Sequence, residues 1–454
     1  MGTGRWRGAR WSRAWCRTAV RFAVTGVLTG AAIALPGGIA AADGTTTGTP
    51  GGYAFDPGAR TVKGTTGTTD AEDLEPGETY RSSLGKNAKL HYRLDLTGPA
   101  TAYVAVTAVP PPDATVAATD GVRVSMQAAD GTTCSTDTAD FGGGLSPHPV
   151  TALGTREAGR TLCQGTGTFY LVVERLDATG TGGASSAQDW GLELVPVTEP
   201  PRAGADATTA PEAWNSATPE PLTGDARPRT GGAGFAAARP LERGVWDTRI
   251  RPGQTLFYRV PVDWGQQLYA TAELGSSADD RGYVTGALGL SLYNPARGEV
   301  TDASCGYRGR QATAALAPLP PVEYTNRYAA SSRVDAMRFA GSYYLAVHLS
   351  GQVADTFGDT AYGLTLRVRV DGTPHAGPGY TGQSAPPRRF EVTAGDRQAA
   401  ATGEAPGGDT TMKALAVGGI GTGTVLVLGL GLWALTARRR TAAQTRVSAQ
   451  NPTA

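Results

Sequence analysis

The residues of this chain best suited to chemistry are four histidines, His91, His148, His348 and His375, and three cysteines beyond the N-terminal region, Cys134, Cys163 and Cys305. A histidine works as base or metal ligand only when a partner stands at the right spacing. No two of these stand as His-x-His or His-x-x-x-His, and neither His-Glu-x-x-His nor Gly-x-Ser-x-Gly occurs. Zinc peptidase and α/β-hydrolase chemistry therefore lack their carriers. A Ser-His-Asp set can be assembled from distant residues in any long chain, which is no evidence for one. His91 and His348 read as strand-face residues, His148 lies between two prolines, and the expectation is a non-catalytic protein with no metal and no cofactor.

Cys134 and Cys163 are expected to form a disulfide closing a loop of about 30 residues, a contribution of about 3–4 kcal/mol on the chain-entropy model. It would pin the loop that holds Gly142-Gly143-Gly144 and Pro147-His148-Pro149. Cys305 is left over, as a buried free thiol or, alternatively, a bridge to another chain. Carboxylates at Asp137, Asp140, Asp279 and Asp280 lie in loops that could hold calcium, but the EF-hand spacing is absent and solvated turns are the favoured reading. Trp264, Tyr307, Tyr324 and Tyr328 are candidates for an exposed aromatic strip facing a sugar. Of these, Tyr307, Tyr324 and Tyr328 are the candidate ligand-binding residues.

The elements that must position these residues occur twice. Tyr80, Leu84, Leu90, Tyr92, Arg93 and Tyr103 align without a gap on Trp246, Ile250, Leu256, Tyr258, Arg259 and Tyr269, 166 residues on. Gly167-Thr168-Phe169-Tyr170-Leu171 meets Gly341-Ser342-Tyr343-Tyr344-Leu345, and Gly191-Leu192-Glu193-Leu194 meets Gly363-Leu364-Thr365-Leu366. Leu90–Leu96 and Leu364–Val370 alternate apolar and polar residues, the pattern of a strand with one face buried. Asp130-Gly131 and Asn294-Pro295 supply turns at matching places. The fold class expected is all-β: two tandem β-sandwich, jelly-roll-like domains, over residues 68–197 and 233–370, plus one C-terminal transmembrane helix. Two insertions, 137–160 and 306–338, break the repeat and are the places where the copies can differ in function.

Between and beside the modules the composition changes. Residues 43–67, 198–232 and 371–413 are rich in Gly, Thr, Pro and Ala and are expected as a flexible linker, a second linker and a stalk. Residues 1–42 run from six arginines through an apolar stretch to Ala40-Ala41-Ala42, the order of a secretory signal peptide cleaved after Ala42. Residues 414–437 are 24 uncharged residues followed at once by Arg438-Arg439-Arg440. That is a single span with its positive flank, and the tail 438–454, on the cytoplasmic side. Ten of the 41 basic residues lie at the two ends, which hold no acid, so the part between carries 31 basic against 40 acidic residues. That sign speaks against a nucleic-acid partner.

Arg251-Pro252-Gly253-Gln254-Thr255-Leu256-Phe257-Tyr258-Arg259-Val260 and Gly341-Ser342-Tyr343-Tyr344-Leu345-Ala346-Val347, in this order and followed by a Tyr-x-Leu-x-Leu strand, resemble the bacterial pre-peptidase C-terminal domain. The resemblance covers both modules, more weakly the first, where Leu84-Gly85-Lys86-Asn87 replaces the Pro-Gly-Gln turn. It implies a secreted β-sandwich of the kind found beside exported peptidases, yet no peptidase domain accompanies the modules here. The function expected is a non-catalytic, single-pass type I membrane protein whose extracellular modules bind a protein or cell-wall partner. An accessory subunit of an exported peptidase or secretion complex is the alternative, and a hydrolase of unrecognised type the third reading.

Overall fold

Among the described residues, alternation in the sequence becomes four antiparallel-rich sheets, two in each repeat. The computed structural model describes residues 52–159, 162–177, 185–204, 208–211, 213–279 and 281–404. The expected signal peptide, span and cytoplasmic tail lie outside the described residues, as does Asp280. Among the described residues no helix is long and apolar enough to cross a membrane.

In module one, a four-stranded sheet has the order Lys89–Leu96, Gly167–Leu176, Gly121–Ala128, Thr133–Asp140. A five-stranded sheet has the order Arg60–Thr61, Tyr80–Leu84, Trp190–Glu199, Thr101–Val109, Val150–Arg156. Tyr92, Leu94, Val104, Val106, Val124, Leu171, Trp190 and Leu192 fill the core of this module.

Module two repeats the order. One sheet runs Arg239–Pro240, Thr255–Val262, Gly341–Leu349, Val284–Tyr293, Glu299–Tyr307. The other runs Arg227–Pro228, Gly244–Ile250, Tyr362–Asp371, Gln267–Leu274, Ala312–Ala315. Its core is built on Trp246, Tyr258, Leu268, Leu290, Tyr343, Leu345 and Leu366. The two insertions are therefore not wholly insertions: each contributes an edge strand, Val150–Arg156 or Ala312–Ala315, at the same place in its sheet.

The modules pack against each other through one sheet of each. The outer face of the five-stranded sheet of module one meets the outer face of the Thr255–Tyr307 sheet of module two. Tyr103, Ala105, Val195 and Val197 from the first join Ala296 and Phe339 from the second in one apolar cluster. This is why Thr101–Val109 and Gly341–Leu349 are buried on both faces, whereas Lys89–Leu96 and Tyr362–Asp371 are buried on one. Ion pairs cross the junction with the acid in module one: Glu193–Arg297 at 2.6 Å, Glu199–Arg327 at 2.7 Å and Glu157–Arg338 at 2.5 Å.

The segments expected as linkers and stalk do not stand clear of the sandwiches over their described parts. Tyr53 lays its ring edge on Phe257 and donates to Glu193, and Arg60–Thr61 pairs with Tyr80–Arg81. Within 198–232, Arg227–Pro228 pairs with Trp246–Asp247, and the Leu222 carbonyl accepts from Arg367. In 371–404, Phe390 is buried between the modules, stacked on Phe339 at 4.7 Å, and Ala394–Thr402 is a helix with a Thr393/Asp396 capping box. The physical reason is local. These stretches are poor in apolar residues on average, but single aromatics such as Tyr53 and Phe390 each bury a large ring at the junction.

Candidate functional site between the modules

The described part of the 137–160 insertion reaches across the junction and closes a cleft. Gly142–Gly144 forms one 3-10 turn, ended by Leu145 in the left-handed region at φ 43°. Gly144 then passes so close to Gly286 of module two that a Cβ on it would lie 3.0 Å from the Gly286 carbonyl oxygen, a contact that a larger residue would have to relieve by a small shift. The Ser350 hydroxyl donates to the Gly144 carbonyl at 3.0 Å, and the Gly351 amide donates to Ser146 Oγ at 2.9 Å.

Two histidines meet at this point. His348 Nε2 lies 3.1 Å from Ser146 Oγ, and its Nδ1 lies 3.0 Å from Thr255 Oγ1. His148 Nδ1 donates to the Ser146 carbonyl at 2.7 Å, and its ring stacks on that of His348. Phe141 sets its edge against both His148 and Trp190, which ties the loop to the core of module one. Burial, and then the neighbouring His148, hold His348 well below the ordinary imidazole range; burial likewise lowers His148. Ser146 and His348 are spaced as a nucleophile and base would be. The third group, however, is the hydroxyl of Thr255, which cannot offset an imidazolium charge as a carboxylate does. The Ser146 oxygen is also buried and already accepts the Gly351 amide.

Beside this latch lies a cleft of about 420 Å³ lined by both modules. Its floor is the outer face of the Thr255–Tyr307 sheet, with Ser291, Ser304, Tyr293 and Ala346; its wall is the stretch from Thr138 to Thr151, two strand ends and the loop between them. Asp140, Glu299 and Asp302 line it as well. Crowding of the carboxyl by protein, followed by the charges of Asp302, Asp137 and Asp140, pushes Glu299 up to about 7, although the residue as a whole is exposed. Hydroxyls and carboxylates thus dominate the polar lining. Among the described residues no group of three His, Cys, Asp or Glu side chains is placed to hold a metal ion.

The residues singled out in the sequence fall in different places. Cys134 and Cys163 are bridged, with Cα atoms 5.6 Å apart, and Cys305 is a half-buried free thiol raised by burial. Tyr307 is not exposed: it is fully buried, donates to the Gly275 carbonyl at 2.7 Å and packs edge-on with Phe357 and Tyr362, so it offers no ring face to a ligand. Trp264 is buried beneath Gly377. Tyr324 is half-buried between the guanidinium groups of Arg202 and Arg327, at 4.5 and 3.5 Å from its ring centre. Tyr328 alone of the four is exposed. They form no strip. His375 pairs with Glu323 at 2.9 Å, and His91 lies near the Thr65 carbonyl.

Sequence reasoning named the loop and His148 and His348 but missed Ser146, Thr255, Gly286, Glu299 and Asp302. A signal was available in the repeat. Position for position, Lys89, His91 and Glu174 of module one become Thr255, Phe257 and His348 in module two, which turns a solvated face into a docking face.

No protein-family model and no curated protein matches this chain. Among solved structures it is similar to tripeptidyl peptidase 2, at 8% identity and a TM-score of 0.20, covering 65% of this chain. The chain spans 24% of that protein's length. It is also similar to the CUB1-EGF-CUB2 domain of human MASP-1/3, at 8% identity and a TM-score of 0.16, covering 64% of this chain and 99% of that one. A third is the tandem CBM22-1–CBM22-2 domain of Paenibacillus barcinonensis Xyn10C, at 10% identity and a TM-score of 0.17, covering 68% and 95%. None of the three reaches the level at which a shared fold is inferred.

Proposed function

We propose that this chain is a non-catalytic, membrane-anchored extracellular binding protein, built on two jelly-roll-like β-sandwiches held outside the cell by the 414–437 segment. Its partner is a protein or cell-wall polymer that seats in the inter-module cleft. The observation that carries the reading is that cleft: both modules build it, hydroxyls and carboxylates line it, and the one serine–histidine pair beside it is spent on joining the modules. The Cys134–Cys163 bridge suits an oxidising exterior.

The test is recovery of partners by cross-linking on intact cells, comparing the native chain with Ser291→Trp, which fills the cleft floor. A partner recovered by the native chain and lost with Ser291→Trp supports the reading. Equal recovery by both, or processing of a wall polymer or peptide by the purified chain, contradicts it.

A further inference from the structure

We propose that Arg259, Arg297 and Arg389 form a buried site for one small oxyanion, of the sulfate or phosphate class, where the 371–404 segment joins module two.

The three side chains come from different elements. Arg259 lies on Thr255–Val262 directly across from Tyr344 on the docking face. Arg297 stands in the turn after Val284–Tyr293, left-handed at φ 62°, with its guanidinium 4.7 Å from the Phe235 ring centre and 6.0 Å from that of Tyr344. Arg389 arrives from the C-terminal segment: its carbonyl oxygen would lie 2.8 Å from a Cβ on Gly341, and its neighbour Phe390 stacks on Phe339.

Their charges are not balanced. Glu193 faces Arg297, but its two oxygens also accept the Tyr53 hydroxyl and the Asp56 amide. Among the described residues, Arg259 Nη2, Arg297 Nε, and both Nε and Nη2 of Arg389 are buried with no partner at ordinary hydrogen-bond geometry, although the Tyr344 hydroxyl lies beside Arg297 and Arg389. Unpaired, buried, charged donors are among the costliest arrangements a protein interior can hold. A group with several acceptor oxygens matches guanidinium forks in both charge and geometry. The same positive field acts on Tyr344. Burial alone would push its hydroxyl up, yet Arg389, Arg297 and Arg259 together hold it below the ordinary phenol range. An oxyanion here would couple the C-terminal segment to module two through Arg389.

Equilibrium dialysis of the full chain against radiolabelled phosphate and, separately, radiolabelled sulfate tests the site. One equivalent bound per chain is expected, with a thermal midpoint that rises saturably with the same anion at constant ionic strength. Arg389→Gln should weaken binding about tenfold or more, the effect of losing charge-assisted hydrogen bonds. Arg93→Gln, at an exposed arginine paired with Asp73, should leave it unchanged. If Arg389→Gln does not fold, the native stoichiometry still decides. No bound equivalent, or binding undiminished in a folded Arg389→Gln, overturns the proposal. So does a tyrosinate absorbance at neutral pH that Tyr344→Phe removes, because the cluster would then supply its own anion.

Discussion

His348 of module two stacks on His148 of module one, ring centroids 4.5 Å apart and planes 23° from parallel, with Ser146 bonded to both residues. Two neutral imidazoles in contact are stable only while both stay neutral. Both are held below the ordinary range in the folded chain, so the unfolded chain binds protons first as pH falls. The latch's contribution is thus complete above about pH 6.5, the unfolded histidine value, and is lost as pH drops below it. Urea midpoints should fall between about pH 7.5 and about pH 5.5, and His348→Gln should flatten that dependence. A slope unchanged by His348→Gln would remove the latch from the account.

Glu299 has the opposite sign. Its folded carboxyl is raised to about 7 from an ordinary value of 4.5, so ionising it disfavours the folded state as pH rises across that window. Glu299→Gln should raise the urea midpoint at about pH 8 and leave it nearly unchanged at about pH 4. Equal effects at both values would place the crowding of carboxylates elsewhere.

The Cys134–Cys163 bridge holds the strand Thr133–Asp140 to the loop before Gly167–Leu176. Replacing both cysteines with serine should cost about 3–4 kcal/mol on the chain-entropy model. Chemical denaturation with and without reductant measures it, and Cys305→Ser, at the free thiol, is the control expected to change little.

Val197 and Arg369 occupy equivalent positions in the repeat, one buried at the junction and the other half-buried, with its guanidinium donating to the Glu220 carbonyl and lying beside Asp371. Val197→Arg places an unpaired charge in the docking interface and should cost several kcal/mol. It should also open the junction, read as a larger radius of gyration in solution scattering. Arg369→Val removes the bond to the Glu220 carbonyl and should cost about 1 kcal/mol without opening the junction. If both substitutions behave alike, the junction does not hold the modules.

The strands were legible from the sequence because their inward residues repeat at period two in both copies, as Tyr92–Leu94 and Tyr258–Val260 show. The disulfide was legible because both cysteines flank the same loop. The docking of the modules was harder to see. Tyr103-Val104-Ala105-Val106 is apolar at every position, the mark of a strand covered on both faces, but the pattern does not say what covers the outer one. Tyr307 misled because an aromatic in an insertion suggests exposure, whereas this one ends a shared strand and points into the core. The contacts of 371–404 rest on scattered residues, among them Phe390, His375 and Tyr380, which average composition hides.

A photoreactive amino acid placed at Ser291, on the cleft floor, tests the central claim most directly, with the same group at Arg123 on the far sheet of module one as comparison. Irradiated on intact cells, the Ser291 position should yield one discrete adduct that the Arg123 position does not. The same adduct from both positions, or none from Ser291, would contradict the account.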